Sequence, residues 1–224
     1  MSKIVLITGA SRGIGFALAQ QFIDKGFTVI GTSRTGVLQK SPTDKLIAKK
    51  LNLPDPKSRA QLANWLAENE IKVDIVVNNA GIGPDLGGEK PEEESYKATF
   101  EVNTTGTVFF TELILPHIKE GGKVINISSK MGSIEACGTT DSVAYRMSKA
   151  ALNMYTKILT NRLEGTQKVA AIHPGWVRTT ISESSSKYAP LSTEESAKGI
   201  IEFVMGDFKT GTFWNVEAQE MIGW

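Results

Sequence analysis

Short runs of β-branched residues alternate with longer amphipathic stretches along almost the whole chain. This alternation is typical of repeated βαβ units, in which parallel strands form a central sheet and the connecting helices cover its faces. It predicts one α/β domain over residues 1–224, with a doubly wound parallel sheet of about seven strands flanked by helices. Helices are expected over Ile14–Lys25, Ser58–Asn69, Tyr96–Lys119, Tyr145–Leu163 and Thr193–Met205. Strands are expected over Lys3–Thr8, Phe27–Thr32, Ile47–Leu53, Val73–Asn78, Lys123–Ser128, Val169–His173 and Thr212–Val216.

Composition excludes several classes of function. The 25 Lys and Arg residues balance 24 Asp and Glu residues, so a bulk electrostatic attraction to nucleic acid or to an anionic membrane is not expected. The apolar run that begins at Ile4 is too short for a signal peptide or a membrane span. Cys137 is the only cysteine, and His117 and His173 are the only histidines, so we expect a cytoplasmic protein without a catalytic metal.

A glycine-rich turn follows the first predicted strand and leads directly into a predicted helix. It reads Thr8-Gly9-Ala10-Ser11-Arg12-Gly13-Ile14-Gly15. Glycines allow the backbone to approach a pyrophosphate closely, and the helix N-terminus presents free N–H groups to the anion. The turn therefore indicates a dinucleotide site, although its spacing differs from G-x-G-x-x-G and a turn without a ligand is the alternative.

Further motifs follow in order, and together with the glycine turn they resemble the short-chain dehydrogenase/reductase family. The turn matches the opening Thr-Gly-x-x-x-Gly-x-Gly of that family. The later matches are Asn78-Asn79-Ala80-Gly81, Asn103, Ser129, the Tyr-x-x-x-Lys pair Tyr145 and Lys149, and Pro174-Gly175. The resemblance implies a Rossmann fold, and the segment Ala144–Asn153 and the chain ending are similar to the sniffer-like carbonyl reductase and C-factor branch.

The resemblance implies four catalytic residues: Asn103, Ser129, Tyr145 and Lys149. Tyr145 and Lys149 lie four residues apart, on one face of a predicted helix, although such a pair on a lysine-rich helix is also common at surfaces. Tyr145 is expected to be the general acid, with its pKa lowered by Lys149 and by a positively charged nicotinamide ring. Ser129, preferred over Ser128, would hydrogen bond the substrate oxygen, and Asn103 would hold a water molecule.

The end of the second predicted strand indicates which nicotinamide cofactor binds. An acidic residue there favours NAD(H), whereas this chain has Ser33 and Arg34, with Arg12 in the glycine turn. Two guanidinium groups favour the 2′-phosphate of NADP(H), unless one of them is only solvated. Asn52 stands where the family usually has Asp near the adenine. The expected cofactor residues are Gly9, Ser11, Arg12, Gly13, Ile14, Gly15, Ser33, Arg34, Asn52, Leu53, Asn79, Ala80, Gly81, Tyr145, Lys149, Pro174, Gly175, Val177 and Thr179.

These features predict an NADPH-dependent oxidoreductase that reduces a small aldehyde or ketone to an alcohol. The alternative, implied by the C-factor likeness, is an NADP(H)-binding signalling protein with little turnover. No nucleic-acid or membrane partner is expected. The protein is expected to form a homodimer. The sequence leaves open whether Gly132–Ser142 and Ser182–Ser186 form a substrate lid, and whether the apolar residues near the site line a pocket or the core. These apolar residues are Met131, Ile134, Trp176 and Tyr188.

Overall fold

The computed structural model describes residues 2–38 and 43–224, which form an α/β structure around one sheet. The strand order is β3-β2-β1-β4-β5-β6-β7-β8, and every neighbouring pair is parallel except β7 and β8. The strands are Ile4–Ile7 (β1), Thr28–Ser33 (β2), Leu46–Lys50 (β3), Val73–Asn78 (β4), Ile118–Ile127 (β5), Lys168–His173 (β6), Thr212–Asn215 (β7) and Glu220–Met221 (β8). The predicted doubly wound parallel sheet is confirmed, with one additional antiparallel edge strand.

Helices cover both faces of the sheet. They are Gly13–Asp24 (α1), Pro56–Glu68 (α2), Glu93–Phe100 (α3), Thr107–Ile114 (α4), Val143–Arg162 (α5), Glu183–Tyr188 (α6) and Thr193–Met205 (α7). Leu18 and Phe22 of α1 join Ile200 of α7 in the core on one face, while Phe110 of α4 and Leu152 of α5 lie in the core on the other. Among the described helices, none is long and apolar enough to cross a membrane.

The third predicted helix, Tyr96–Lys119, is wrong as one continuous element. The chain forms α3, a π-helical segment over Glu101–Gly106, then α4 and a short 3₁₀ turn. Pro116 lies in that turn, where its missing N–H and its ring do not allow the α-helix to continue. The fifth strand consequently begins at Ile118 and is longer than the predicted Lys123–Ser128.

A chain of buried amides and hydroxyls crosses the middle of the sheet. The Nδ2 of Asn78 on β4 donates to Oδ1 of Asn126 on β5 at 2.8 Å and is also 2.9 Å from Oγ1 of Thr111 on α4. The Nδ2 of Asn126 in turn donates to Oγ1 of Thr156 on α5 at 2.8 Å. Two strands and two helices are thereby joined through side chains that are shielded from water.

The strand order reverses between β1 and β4, which makes the carboxyl ends of these two strands the switch point of the sheet. Ligands of open α/β sheets bind in the crevice at this position. The glycine turn follows β1, Asn79 follows β4, and Ser129 comes shortly after β5. The motifs found in the sequence are therefore brought to one edge of the sheet.

Candidate active site

The four predicted catalytic residues meet beyond the carboxyl ends of β4 and β5. Tyr145 and Lys149 lie one turn apart on α5, with Lys149 Nζ 5.7 Å from the centroid of the tyrosine ring. A Cβ built on Gly81 would lie 3.3 Å from Oδ1 of Asn103 and 3.5 Å from Nζ of Lys149. The hydroxyl of Ser129 lies close enough to the phenol of Tyr145 to lower the pKa of that group. The structure thus brings the four side chains to one place, next to the Asn-Asn-Ala-Gly loop.

Lys149 is a buried cation, and no acidic side chain pairs with it among the described residues. Its Nζ donates to the carbonyl oxygen of Ile127 at 2.8 Å. Burial lowers the pKa of Lys149 to about 8, because the apolar surroundings disfavour the charged form. At neutral pH the side chain therefore remains mostly an ammonium, positioned beside the phenol.

The pKa of Tyr145 departs from its ordinary value in the direction opposite to the expected one. Burial raises the pKa of Tyr145 to about 12, the nearby hydroxyl of Ser129 opposes this rise, and the charge of Asp85 adds to it. In the protein alone the pKa of Tyr145 is raised rather than lowered, because desolvation of the phenolate is the largest influence on it. The phenol is consequently protonated at neutral pH, as a proton donor must be.

Asn103 lies in the π-helical segment, where the widened turn directs its side chain toward the loop after β4. Its Oδ1 accepts from the N–H of Ile82 at 2.8 Å, and its Nδ2 donates to the carbonyl oxygen of the same residue at 2.8 Å. The same Nδ2 is 3.1 Å from Oγ of Ser148 on α5. Asn103 therefore ties the loop after β4 to the helix that carries Tyr145.

The two serines after β5 have different partners. Ser128 donates its hydroxyl proton to Oδ1 of Asn153 at 2.6 Å. Ser129 accepts from the N–H of Met131 at 3.1 Å, which leaves its own proton for another acceptor. This difference supports the sequence preference for Ser129, since only a hydroxyl with an uncommitted proton can donate to a substrate oxygen.

A cavity of about 350 Å³ lies beside the glycine turn. The turn is tight because Gly9 and Gly13 both have positive φ angles, of 68° and 58°. A Cβ on Gly15 would lie 2.3 Å from the carbonyl oxygen of Gly9, so this glycine permits close packing of α1 rather than lining the cavity. The cavity is lined by Gly9, Ser11, Arg12, Gly13, Ile14, Thr32, Ser33, Arg34, Leu51, Asn52, Leu53, Pro54, Asn79, Ala80, Gly81, Ile82, Val102, Thr179, Thr180 and Ile181.

The side chains of this cavity fit a dinucleotide with an additional phosphate. Helix α1 begins beside it with no side-chain cap on its first turn, which leaves N–H groups for an anion. Among the described residues that line it, none is acidic, and Arg12 and Arg34 contribute two exposed cations. Arg12 hydrogen bonds with Oγ1 of Thr180 across the cavity. The hydroxyl of Ser33 donates to the carbonyl oxygen of Val37 at 2.9 Å, so its proton is already used within the protein.

Part of the predicted cofactor set lies outside the cavity wall: Gly15, Tyr145, Lys149, Pro174, Gly175 and Val177. The last three belong to a segment that packs against the chain before α7. Pro174 accepts from Oγ of Ser196 at 2.7 Å, Gly175 has a φ of 87°, and Val177 forms a bridge with Leu191. The segment then returns to the glycine turn, where Thr179 lines the cavity.

Sequence reasoning missed seven lining residues, which are Thr32, Leu51, Pro54, Ile82, Val102, Thr180 and Ile181. Most of them are next to a predicted residue in the chain, and this was the only feature of the sequence that could have identified them. Asp85 was also missed, and its N–H partners are described below. The sequence around it, Gly83-Pro84-Asp85, reads as an ordinary turn.

The two segments left open as lids differ in structure. The first is a loop anchored to the end of the chain, where Ser133 Oγ donates to the carbonyl oxygen of Gly223 at 2.7 Å. The second forms the short helix α6, capped by Ser182. Ile134 is exposed near the first segment, and Trp176 and Tyr188 are exposed near the second, so these three side chains are not part of the core.

Comparison with known proteins places this geometry in a family. The family model for short chain dehydrogenases matches residues 3–189. A Burkholderia multivorans short-chain dehydrogenase/reductase with bound NADP has a TM-score of 0.85 at 27% identity, covering all of both chains. The NADPH-bound carbonyl reductase from chicken fatty liver has a TM-score of 0.82 at 25% identity, over 100% of this chain and 99% of that one. The carbonyl reductase Sniffer of D. melanogaster shares the fold, with a TM-score of 0.86 at 23% identity over the whole of both chains.

The family match covers the glycine turn, the loop after β4, Ser129 and the Tyr-x-x-x-Lys pair, so it includes all the residues that converge at the edge of the sheet. The resemblance seen in the motifs is thereby confirmed, and the sniffer-like fold is confirmed with it. The chain is an oxidoreductase that belongs to the short-chain dehydrogenase/reductase family.

Proposed function

We propose that the protein uses NADPH to reduce an aldehyde or a ketone to an alcohol, with Tyr145 as the general acid. The observation that carries this proposal is the convergence of three groups: the hydroxyl of Ser129, the phenol of Tyr145 and the ammonium of Lys149. They lie next to Gly81, which lines the cavity fitted for a dinucleotide. A proton donor, a second hydrogen-bond donor and a cation at one end of such a cavity suit carbonyl reduction.

Each residue would have a separate role. Bound NADPH would supply the hydride and, once oxidised, a positive charge on its ring. Ser129 and Tyr145 would donate hydrogen bonds to the substrate oxygen as it gains charge. The proton would then leave Oη of Tyr145 for that oxygen, and the ammonium of Lys149 would stabilise the phenolate that remains. With a pKa of about 12, the phenol of Tyr145 is protonated at neutral pH and so has the proton that reduction requires.

The choice of NADPH over NADH rests on the charges around the cavity. Arg12 and Arg34 would hold the 2′-phosphate, and the lining residues include no carboxylate to repel it. Ser11, Gly13 and Ile14 would contact the pyrophosphate through the start of α1. Two similar structures are described with NADP or NADPH bound, which supports the same cofactor here. Asn103, Lys149 and the segment from Pro174 to Thr179 would position the nicotinamide end.

The test uses purified protein, NADPH and a panel of small aldehydes and ketones. We expect NADPH oxidation with at least one carbonyl, and Tyr145→Phe should lower kcat by about 10²–10⁴-fold while NADPH still binds. Tyr155→Phe is the matched control, because Tyr155 lies on the same helix and bonds Glu112 instead of the site. If the parent binds NADPH but reduces no carbonyl, the binding-only alternative is favoured. Undiminished turnover in Tyr145→Phe would remove the phenol from the mechanism.

We also propose that the protein is a cytoplasmic homodimer. Cys137 is an exposed free thiol, which suits a reducing compartment. Phe109 and Leu113 on α4, with Met154 and Ile158 on α5, are large exposed apolar side chains that a second copy would cover. Sedimentation should show a dimer for the parent and a monomer for Ile158→Lys; a parent that sediments as a monomer would contradict this proposal.

A further inference from the structure

The start of α5 lacks the cap that its own sequence offers. Ser142 occupies the N-cap position, where serine ordinarily accepts a hydrogen bond from the first turn. Here its backbone is left-handed, with a φ of 59°, and no side-chain cap forms. Its hydroxyl instead accepts from the N–H of Gly87 at 2.9 Å and is 2.8 Å from Oδ2 of Asp141. The first turn of the helix that carries Tyr145 therefore needs another acceptor.

Asp85 supplies that acceptor from the loop after β4. Its Oδ2 accepts from the N–H of Ala144 at 2.8 Å and from the N–H of Tyr145 at 3.2 Å. The second of these donors belongs to the proposed general acid itself. Asp85 is thus bonded to the backbone of Tyr145 across a separation of 60 residues.

The same loop contacts Tyr145 in a second way and is closed by a further bond. A Cβ on Gly83 would lie 3.0 Å from Cδ2 of Tyr145, so the backbone of the loop lies against the ring. The N–H of Ser142 donates to the carbonyl oxygen of Gly88 at 2.8 Å. These contacts leave the tyrosine little freedom to shift relative to Gly81, which belongs to the same loop and lines the cavity.

The burial of Asp85 indicates that a contribution to folding stability is not the only reason for a carboxylate at this position. The residue is only 9% exposed, and its Oδ1 has no hydrogen-bond partner among the described residues. A buried carboxylate with an unbonded oxygen carries a desolvation penalty that a neutral serine cap would avoid. Such a group is retained more readily where its geometry or charge serves the site.

We propose that Asp85 is a positioning residue, whose carboxylate holds the first turn of α5 against the loop after β4 and so fixes the phenol of Tyr145 beside the cofactor cavity. This inference rests on the proposed role of Tyr145 as general acid. The charged groups that face Tyr145 are Lys149 from its own helix and Asp85 from the loop, and the hydroxyl of Ser129 approaches it from the turn after β5. The negative charge of Asp85 also raises the pKa of the phenol.

Two substitutions separate the hydrogen bonds from the charge. Asp85→Ala removes both, and we expect kcat to fall at least about tenfold, with the KM for NADPH unchanged, because a small displacement of a catalytic group is costly. Asp85→Asn keeps an oxygen for the two N–H groups, and kcat should stay within about threefold of the parent. The loss of charge in Asp85→Asn should move the onset of Tyr145 ionisation to lower pH, followed by NMR of ¹³C-labelled tyrosine and assigned with Tyr145→Phe.

Asp55→Ala is the control for loss of a helix cap. Asp55 caps α2, a different helix from the one that carries Tyr145, by accepting from the N–H of Lys57 at 2.9 Å. Asp55→Ala and Asp85→Ala should each lower Tm by about 2–4 °C, since each removes a cap, but Asp55→Ala should leave kcat within about twofold of the parent. Equal kcat values for the parent, Asp55→Ala and Asp85→Ala would overturn the proposal.

A readout that needs no turnover distinguishes failure of this inference from failure of the proposed function. Amide hydrogen exchange at Ala144 and Tyr145 should accelerate at least about tenfold in Asp85→Ala and remain near the parent rate in Asp85→Asn. If the parent reduces no carbonyl, the proposed function fails, whereas faster exchange and the altered phenol ionisation would still support the positioning by Asp85. Unchanged exchange in Asp85→Ala would overturn it whatever the activity.

Discussion

Asn153 accepts a hydrogen bond of 2.6 Å from the hydroxyl of Ser128. Its Nδ2 also donates to the carbonyl oxygen of Gly132 at 3.0 Å, so one side chain of α5 holds both sides of the turn that carries Ser129. Gly132 lies directly on the helix, because a Cβ there would be 2.6 Å from Cβ of Lys149. The location of the Ser129 hydroxyl therefore depends on a residue one turn beyond Lys149.

Asn153→Leu should lower kcat by about tenfold, because it removes the bonds that hold this turn and leaves two buried groups unpaired. Ser129→Ala is expected to lower kcat as well, and the double variant should lose less than the two single losses combined, since both act on one hydroxyl. The measurement is a double-mutant cycle in kcat with NADPH affinity as a check on folding. Fully additive losses would show that Asn153 acts independently of Ser129.

Arg12→Ala and Arg34→Ala should each weaken NADPH binding by about 10–100-fold, since a charge-assisted hydrogen bond contributes roughly 1.5–3 kcal/mol. Neither change should weaken the binding of NADH, which has no 2′-phosphate. Fluorescence titration with both nucleotides gives the two dissociation constants, and Arg162→Ala is the control, because Arg162 pairs with Glu112 away from the cavity. A parent that binds NADH and NADPH equally would contradict the assignment of both arginines.

NADPH affinity should fall as pH rises through about 8, because Lys149 then loses the charge that favours an anionic ligand. Burial lowers the pKa of this lysine to about 8, so its ammonium persists below that pH and is lost above it. Between pH 7 and 9 the dissociation constant should rise by up to about tenfold, whereas Lys149→Met should bind weakly with a flat profile. Parallel profiles for the parent and Lys149→Met would show that another group controls the dependence.

Folding stability should decrease as pH falls from about 6.5 toward 4, partly because of His173. Burial, and then the charge of Lys130, lowers the pKa of His173 to about 4, and its Nδ1 has no partner in the described part of the chain. In this window the unfolded chain binds a proton that the folded chain does not, so the free energy of unfolding declines, by about 2–3 kcal/mol.

Urea unfolding at a series of pH values measures this effect. His173→Gln should show a shallower decline than the parent, while His117→Gln, the control at the other histidine, should follow the parent. Carboxylates titrate in the same window and contribute equally to all three proteins, so the difference between slopes is the informative quantity. Identical slopes for the parent and His173→Gln would refute the prediction.

Most of the fold was predictable because most of its strands are short apolar runs. The errors arose where that pattern ends. Residues Lys119 to Gly122 carry charges and glycines and interrupt the pairing with β4, but Ile118 before them pairs with Val73, so β5 begins earlier than predicted. The antiparallel strand Glu220–Met221 is exposed and only two residues long, so it leaves no periodicity in the sequence.

The convergence of the four proposed catalytic residues and the cavity beside the glycine turn were predictable from motifs, but the side chains that contact these residues were not. Asp85 acts on an amide far along the chain, and its neighbours Gly83 and Pro84 suggest only a turn. The pKa of Tyr145 could not be deduced either, because the sequence gives the charge of Lys149 but not the extent of burial, and burial prevails. Both failures concern long-range packing, which local spacing does not encode.

The chain of buried hydrogen bonds from Thr111 through Asn78 and Asn126 to Thr156 limits how the sheet beneath the site can change. If either strand shifted by one residue, these buried amides would lose their hydrogen bonds and could not replace them with bonds to water. Other registers of β4 and β5 are therefore strongly disfavoured. Loops above the sheet can diverge in length and composition while the groups beneath them keep their places. Changes in the loops at the rim can therefore leave the proposed proton-transfer residues undisturbed.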